Sequence, residues 1–255
     1  MRTYDVQSVE DVQAPSFRPL YEQIRQLITR SLAGGEWQPG FAIPSEMELA
    51  RRFQVSQGTV RKALDAMVKD NMLVRRQGKG TYVASHADEV TSYRFLRLRN
   101  LHDEMEYPES TLLGLDRCKA DQQVAKCLGI RPGSALVQIR RVLRLSGEPV
   151  VYDDIRLPAA LLKGFSGAMI EEHVNAGKGT LYSLYESHYR IRIISAQERI
   201  RACAADKQSA ELLGVAVGAP LLGVERVAFT YKNQPVEWRM SYINTDRHFY
   251  FDELN

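Results

Sequence analysis

Forty residues, from Pro44 to Val83, constrain this chain more than any other stretch. Ser45 precedes an apolar-patterned run and Glu48 follows three residues later, the spacing of a capping box. Met47, Leu49, Ala50 and Phe53 recur on one helical face. That run stops at Phe53 and Gln54, and Val55 is the apolar residue of a turn. Ser56 is placed to cap a second helix, whose buried stripe is Val60, Ala63, Leu64 and Met67 and which closes at Asn71. Leu73–Arg76 and Thr81–Val83 then read as two strands around Gln77, Gly78, Lys79 and Gly80. Helix, turn, helix and basic hairpin, in that order, is the layout of a winged helix-turn-helix, which lays its second helix in the DNA major groove. An ordinary amphipathic hairpin also yields two such helices, and a charged hairpin is usually just solvated. The order and spacing together are what point to DNA.

Within that frame the DNA-facing residues follow from the faces. Thr59, Arg61 and Lys62 lie off the buried stripe of the second helix, beside Asp65. Gly78 at the tip of the hairpin allows the backbone close approach to phosphates, with Lys and Arg around it. The expected DNA-binding set is Ser45, Ser56, Gln57, Gly58, Thr59, Arg61 and Lys62 from the helices, with Arg76, Gln77, Gly78 and Lys79 from the wing. Charge agrees. Residues 18–85 carry 11 Lys and Arg against 6 Asp and Glu, while residues 86–255 carry 22 of each sign. A basic module on a neutral body is a nucleic-acid footprint, although a modest positive charge on a small domain proves nothing alone.

Several classes are set aside. Cys118, Cys127 and Cys203 fall in no C-x-x-C pair and at no ligand spacing from a histidine, so reduced structural thiols and no metal are expected. Neither a signal peptide nor an apolar run of membrane-spanning length is visible. A cytoplasmic protein with no membrane partner and no cofactor is the expectation.

The character changes after the hairpin. Residues 86–92 are polar and read as a linker, leaving 1–17 as an N-terminal tail, 18–85 as the DNA-binding domain and 93–255 as a second domain. Tyr93–Arg99 alternates apolar and basic residues, as a half-buried strand does. Ala135–Leu145, Pro149–Leu157, His188–Arg201, Leu221–Tyr231 and Pro235–Ile243 also read as strands, with short helices at Ala120–Leu128, Thr180–Glu186 and Asp206–Leu213. A repeat organises them. Lys126–Gly133 is answered by Glu211–Gly218 at an offset of 85 residues, and Gly147-Glu148-Pro149-Val150 by Asn233-Gln234-Pro235-Val236 at 86. Each copy reads helix, turn, strand, hairpin turn, strand. Two copies make a pseudo-symmetric antiparallel sheet, an α+β domain whose midline suits a pocket.

The N-terminal segment resembles the DNA-binding domain of the GntR family of bacterial transcription regulators. The likeness runs from Arg18-Pro19-Leu20-Tyr21 through Ile43-Pro44-Ser45-Glu46 to Gly80-Thr81-Tyr82-Val83. It implies that Thr59, Arg61 and Gly78 touch DNA. Two residues depart from the family pattern: Gln57 stands where Arg is frequent, and Met47 where a basic residue is. Arg favours guanine and Gln favours adenine, so the operator sequence is expected to differ. The second half resembles the HutC subgroup, whose C-terminal UTRA domain is an effector-binding module with a chorismate-lyase-like fold. Arg141, Gly147-Glu148-Pro149, Thr180-Leu181-Tyr182, Pro235-Val236-Glu237 and Asp246-Arg247 fall in the order that likeness requires. The scattered histidines do not suit the other large subgroup, which is all-helical and clusters its histidines around a metal.

By motif position the resemblance implies that Arg141, Asp153, Thr180, Tyr182 and Glu237 hold the effector. Arg141 suits a carboxylate or phosphate, and Thr180, at a helix start, brings N–H groups that attract anions. Arg226 occupies the repeat position equivalent to Arg141, so an architectural ion pair is an open alternative for both. Sugar-phosphate-binding members tend to carry Arg-x-Arg where this chain has Arg141-Val142-Leu143, and Arg144 falls on the opposite strand face. A smaller carboxylate or amine effector is therefore favoured. The function expected is a ligand-responsive repressor that binds double-stranded DNA at a palindromic operator as a homodimer. The alternatives are a lyase-like enzyme and a DNA-binding protein that senses no ligand.

Overall fold

The computed structural model of this protein describes residues 18–86, 95–175 and 179–252. Three helices build the first domain. Helix α1 (Leu20–Ala33) buries Ile24, Ile28 and Leu32, spaced by four, against the second and third. Helix α2 (Glu46–Phe53) opens on the expected capping box: the Ser45 N–H donates to Glu48 Oε2 (2.8 Å) and Ser45 Oγ accepts the Glu48 N–H (3.3 Å). Gln54, in the left-handed region (φ 55°), ends it. Helix α3 (Gln57–Lys69) starts where Ser56 Oγ accepts the Thr59 N–H and buries Val60, Ala63, Leu64 and Met67 as read. Asn71 (φ 55°) turns the chain into β1 (Leu73–Arg76), which pairs antiparallel with β2 (Gly80–Val83). Each fully buried aliphatic side chain here stabilises the domain by about 1.5–3 kcal/mol. Met47 is not one of them. It is 57% exposed, because this short helix buries only Leu49 and half-covers Ala50 and Phe53.

The second domain begins with a short β3 (Leu98–Asn100). The first repeat unit follows as β4 (Glu109–Lys119), α4 (Gln122–Leu128), β5 (Ala135–Leu145) and β6 (Glu148–Pro158). A helical excursion comes next: α5 (Gly167–Ile170), a π turn (Glu171–Asn175) and α6 (Leu181–Tyr189). The second unit is β7 (Ser195–Ala204), α7 (Lys207–Leu213), β8 (Pro220–Thr230) and β9 (Gln234–Ile243), and β10 (His248–Tyr250) pairs back on β3.

The repeat is reproduced down to single hydrogen bonds. Asp121 and Asp206 cap α4 and α7 by accepting the N–H groups of Val124 (2.8 Å) and Ser209 (2.7 Å). Gly129 (φ 62°) and Gly214 (φ 65°) end those helices in the left-handed conformation that glycine adopts without penalty. The Ala120 N–H donates to the Ser134 carbonyl (2.9 Å) and the Ala205 N–H to the Ala219 carbonyl (2.8 Å). The six main strands form one antiparallel sheet in the order β4-β5-β6-β9-β8-β7. The pseudo-twofold therefore runs between β6 and β9. Helices α4 and α7 cover one face, packing on Leu136, Trp238 and Met240 and on Tyr152 and Leu221. Helix α6 covers the other, with Leu181, Leu184 and Tyr185 against Val137, Ile139, Ile155 and Leu157.

Four expectations need correcting. Of the strand read over 93–99, only Leu98 and Arg99 are extended and paired; Tyr93 and Arg94 lie outside the described residues, and Phe95 turns into the interior. The strand read over 188–201 starts only at Ser195, because α6 runs on to Tyr189 and closes at Arg190 (φ 56°). Strand β4 was not read at all. It is a sheet edge whose polar residues and register shift beside Gly114 blur the alternation. The linker read over 86–92 begins buried: Ser85 and His86 are 6% and 1% exposed, and 87–92 lie outside the described residues.

Candidate DNA-binding surface and effector cavity

The candidate recognition surface is tied together by a residue missing from the expected set. Glu46, the first residue of α2, accepts from Gln57 Nε2 (3.2 Å), Arg61 Nε (2.9 Å) and Arg75 Nη2 (3.3 Å). Arg75 also bonds Asp65 (2.6 Å). One carboxylate thus ties α2, α3 and β1 together, and the hydrogen bond from Arg61 is the chief cause that holds its pKa below the usual range. The signal was available: Glu46 ends the Pro-Ser-Glu run. Arg61 remains 57% exposed by side chain, able to change partners. The Ser45, Ser56 and Thr59 hydroxyls are engaged in capping, with Ser56 Oγ 2.9 Å from Thr59 Oγ1. Gly58 is exposed, and a methyl group there would meet nothing closer than Ser56 Oγ at 3.9 Å. Lys62 lies over the Tyr21 ring (4.4 Å), at the edge of the surface toward α1. In the wing, Gly78 (φ 69°) leads the turn, Gln77 and Lys79 are exposed, and the Arg76 guanidinium lies 4.5 Å from the centre of the Tyr82 ring.

The second site is a cavity of about 470 Å³ on the α6 face of the sheet. Arg141, Asp153, Thr180 and Tyr182, four of the five residues expected to hold an effector, all line it. Arg226, Arg239 and Ser241 line it too and were not singled out as ligand-binding. The repeat carried a signal for both arginines, since Arg226 matches Arg141 and Arg239 matches Asp153. Glu237 does not line the cavity. It is fully buried behind it, where Oε1 accepts from the Tyr182 hydroxyl (2.9 Å) and Arg239 Nε (3.1 Å). It braces two lining residues from behind. Thr180 caps α6, but its N–H is taken up by Ser183 Oγ (2.8 Å) and its hydroxyl accepts the Ser183 N–H (3.2 Å). Its own N–H is therefore engaged in the cap, while its hydroxyl hydrogen is left to donate.

Asp153 is the hub. Its Oδ2 accepts from Arg141 Nε (2.9 Å) and Arg239 Nη1 (3.4 Å), and Oδ1 from the Ser241 hydroxyl (2.6 Å). Burial pushes this carboxyl up, but Arg239, Arg141 and Ser241 outweigh it and leave its pKa below the ordinary value. Burial, then Glu237, push the Tyr182 phenol up to about 12, so it stays a donor. Arg226 bonds Glu198 through Nε (2.6 Å) and the Phe95 carbonyl through Nη2 (2.5 Å), and the Tyr250 hydroxyl also bonds Glu198. Beyond this network one wall is apolar, formed by Leu98, Leu143, Val151, Val224 and Ile243, and the rest of the lining is mixed, with Glu109, Thr111 and Thr180 among it.

The cavity and the first domain meet at α6. The Tyr182 ring packs edge-on against His86 and Phe95, each at 5.5 Å between centroids. One turn on, Glu186 Oε2 accepts from the Ser85 hydroxyl (2.7 Å) and the His86 N–H (2.8 Å). Arg192, 3.4 Å from Glu186, donates to the carbonyls of Asn71 and Met72, both at 3.2 Å, just past the end of α3. Both ends of the β1–β2 hairpin are therefore gripped from α6 and the segment after it.

Other chemistry has little support among the described residues. No group of three or more His, Cys, Asp and Glu is placed to hold a metal ion. The three cysteines are free thiols, and burial raises the pKa of each, which suits a packing role. No described helix is long and apolar enough to cross a membrane.

Comparison with known proteins adds independent findings. The family profile "Bacterial regulatory proteins, gntR family" matches residues 20–83, and the profile "UTRA domain" matches residues 103–248. The transcriptional repressor NagR of Bacillus subtilis is 28% identical over 93% of this chain and 96% of its own. An Escherichia coli protein named the probable fructoselysine utilization operon transcriptional repressor is 30% identical over 87% of this chain and 88% of its own. Among solved structures, the ligand-binding domain of a GntR-family transcriptional regulator from Bordetella bronchiseptica is 38% identical, covers 64% of this chain and 99% of its own, and superposes with a TM-score of 0.60.

Proposed function

This chain belongs to the gntR family of bacterial regulatory proteins and carries a UTRA domain, and on that footing we propose that it is a repressor of the HutC type, released from a palindromic operator when a metabolite fills the cavity beside α6. It is a DNA-binding transcription regulator and not an enzyme. In this reading Gln57, Thr59 and Arg61 meet base edges, while Ser45, Ser56, Gly58, Lys62 and Arg76–Lys79 meet the phosphate backbone. Arg141, Asp153 and Tyr182 meet the effector, with Arg239, Arg226 and Ser241 added to them. The observation that carries the reading is the continuity from Tyr182 through His86, Glu186 and Arg192 to the carbonyls that follow α3. A ligand that shifts Tyr182 acts on the residues holding the DNA-binding domain. It changes operator affinity only by its differential affinity for the two arrangements, so DNA must change effector affinity by the same factor.

A single winged domain reads too few base pairs to select one site in a genome, which favours a cytoplasmic homodimer on a two-fold operator. The domains run as 18–85 and 93–255, with the joint between them. The test is fluorescence anisotropy of labelled operator DNA at fixed salt, with light scattering of the complex. Two chains per operator, and release by the same metabolite that raises the melting temperature of the free protein, are expected. One chain per operator, or a stabilising metabolite that leaves DNA affinity unchanged, contradicts the reading.

A further inference from the structure

The cavity carries more information about its ligand than that one binds. Its arginines are balanced by carboxylates in and directly behind the lining: Arg141, Arg226 and Arg239 pair with Asp153, which lines the cavity, and with Glu198 and Glu237, which lie behind it. Arg97 and Glu109, one of each sign, stand at the mouth. Asp153 is saturated by three donors, and all three nitrogens of Arg239 are engaged with Glu237 and Asp153. Arg141 differs. Only its Nε is bonded, to Asp153, and its two terminal nitrogens have no hydrogen-bond partner among the described residues. They open onto the cavity as a two-pronged donor fork. Two positions away on the neighbouring strand, on the same sheet face, Ser110 also lines the cavity, and its Oγ, buried just behind the surface, lacks a partner among the described residues. Leu98, Leu143, Val151, Val224 and Ile243 form one continuous apolar wall beside this corner, with Thr111 and Thr180 elsewhere in the lining.

Resting on the reading of this cavity as the effector site, we infer that the effector is a monocarboxylate with a largely apolar body. Its carboxylate lies in the Arg141 fork within reach of the Ser110 hydroxyl, and its body lies along the Leu143–Val151–Ile243 wall. The charge balance selects the head group. A monoanion is matched by the one fork left open, whereas a phosphate dianion brings a second charge into a pocket whose other arginines are already neutralised by buried carboxylates. Leu143 also removes a cation from the strand position beside Arg141. The Leu143–Val151–Ile243 wall selects the body, since hydroxyls of a polyhydroxylated sugar that face this wall would be left unbonded.

Titration calorimetry of the full chain with hexanoate, hexyl phosphate and hexanol separates head group from body, with glucosamine 6-phosphate as a polar, phosphorylated comparison. Hexanoate is expected to bind, and each of the others to bind at least about tenfold more weakly or not at all. Arg141→Lys, which keeps the charge beside Asp153 but loses the fork, is expected to weaken hexanoate at least about tenfold while the chain stays folded by far-UV circular dichroism at the titration temperature. Tighter binding of hexyl phosphate or glucosamine 6-phosphate overturns the head-group assignment and leaves the effector-site reading standing. Equal binding of hexanol, or hexanoate binding indifferent to Arg141→Lys, overturns the fork. Binding of none of the four overturns the ligand class. Hexanoate binding that leaves operator affinity untouched supports the ligand class and counts against the regulatory reading alone.

Discussion

Glu46 and Asp153 are both carboxylates that gather arginines, one in each domain, and their settings differ. The Glu46 side chain is 17% exposed and Arg61, its main partner, 57%, so water competes for every bond. Asp153 is 1% exposed and both its arginines are nearly buried. In the first domain the ion pairs hold side chains in place while they wait for another partner. In the second, the pairs are part of the fold, and removing one member strands the others out of water. The same chemistry thus gives an exchangeable contact where solvent reaches it and a structural one where it does not.

That contrast can be broken most forcefully at Arg239. Arg239→Ala leaves Glu237 and Asp153 buried with reduced compensation and is expected to cost about 3–5 kcal/mol, read from urea unfolding followed by fluorescence. A loss below about 1 kcal/mol would mean that water enters the cavity and solvates both carboxylates. Arg61→Ala tests the other side. It is expected to leave stability within about 0.5 kcal/mol and to weaken operator binding by about 1–3 kcal/mol at fixed salt. Unchanged operator affinity would remove Arg61 from the recognition surface.

Arg192→Ala addresses the joint. With its bonds to the Asn71 and Met72 carbonyls gone, free-protein operator affinity should change little. The effector-induced change, about 5- to 150-fold in coupled regulators, should shrink toward one. Full coupling in this variant would route the signal elsewhere. The smallest effect is in pH. The Asp153 pKa is lowered in the folded protein, so its contribution is present above the ordinary carboxylate range and lost as pH falls through the lowered value. Asp153→Asn should flatten the acid limb of a stability–pH curve, and an unaltered limb would assign that limb to other carboxylates.

Much of this was legible in the chain, unevenly. The Ser45–Glu48 capping box and the α3 stripe survive because they depend on contacts only a few residues apart, and the repeat because each copy carries its own caps and turns. Arg141, Asp153 and Tyr182 were placed by motif and do line the cavity. What escaped was decided by distant pairings. Met47 fits an apolar pattern but has no neighbour to cover it. Glu237 shares a motif with lining residues yet lies behind them, because Tyr182 and Arg239 stand in front. Phe95 and His86 belong to segments that look like strand and linker and are drawn inward by Arg226, Tyr182 and Glu186.

The seam between β6 and β9 has a consequence for the ancestry of the sheet. Asp153 and Arg239 are the same position in the two repeat units, diagonal neighbours across the seam on one face, 3.4 Å apart at their charged ends. Two identical halves would set like against like there, two carboxylates or two guanidiniums in a closed space. Opposite charges at equivalent places make the seam an electrical plug and socket. Duplicating either unit in place of the other should therefore yield a chain that cannot close its own sheet, however well each half keeps its helices and turns. The symmetry visible in the backbone is held together at a place where the side chains abandon it.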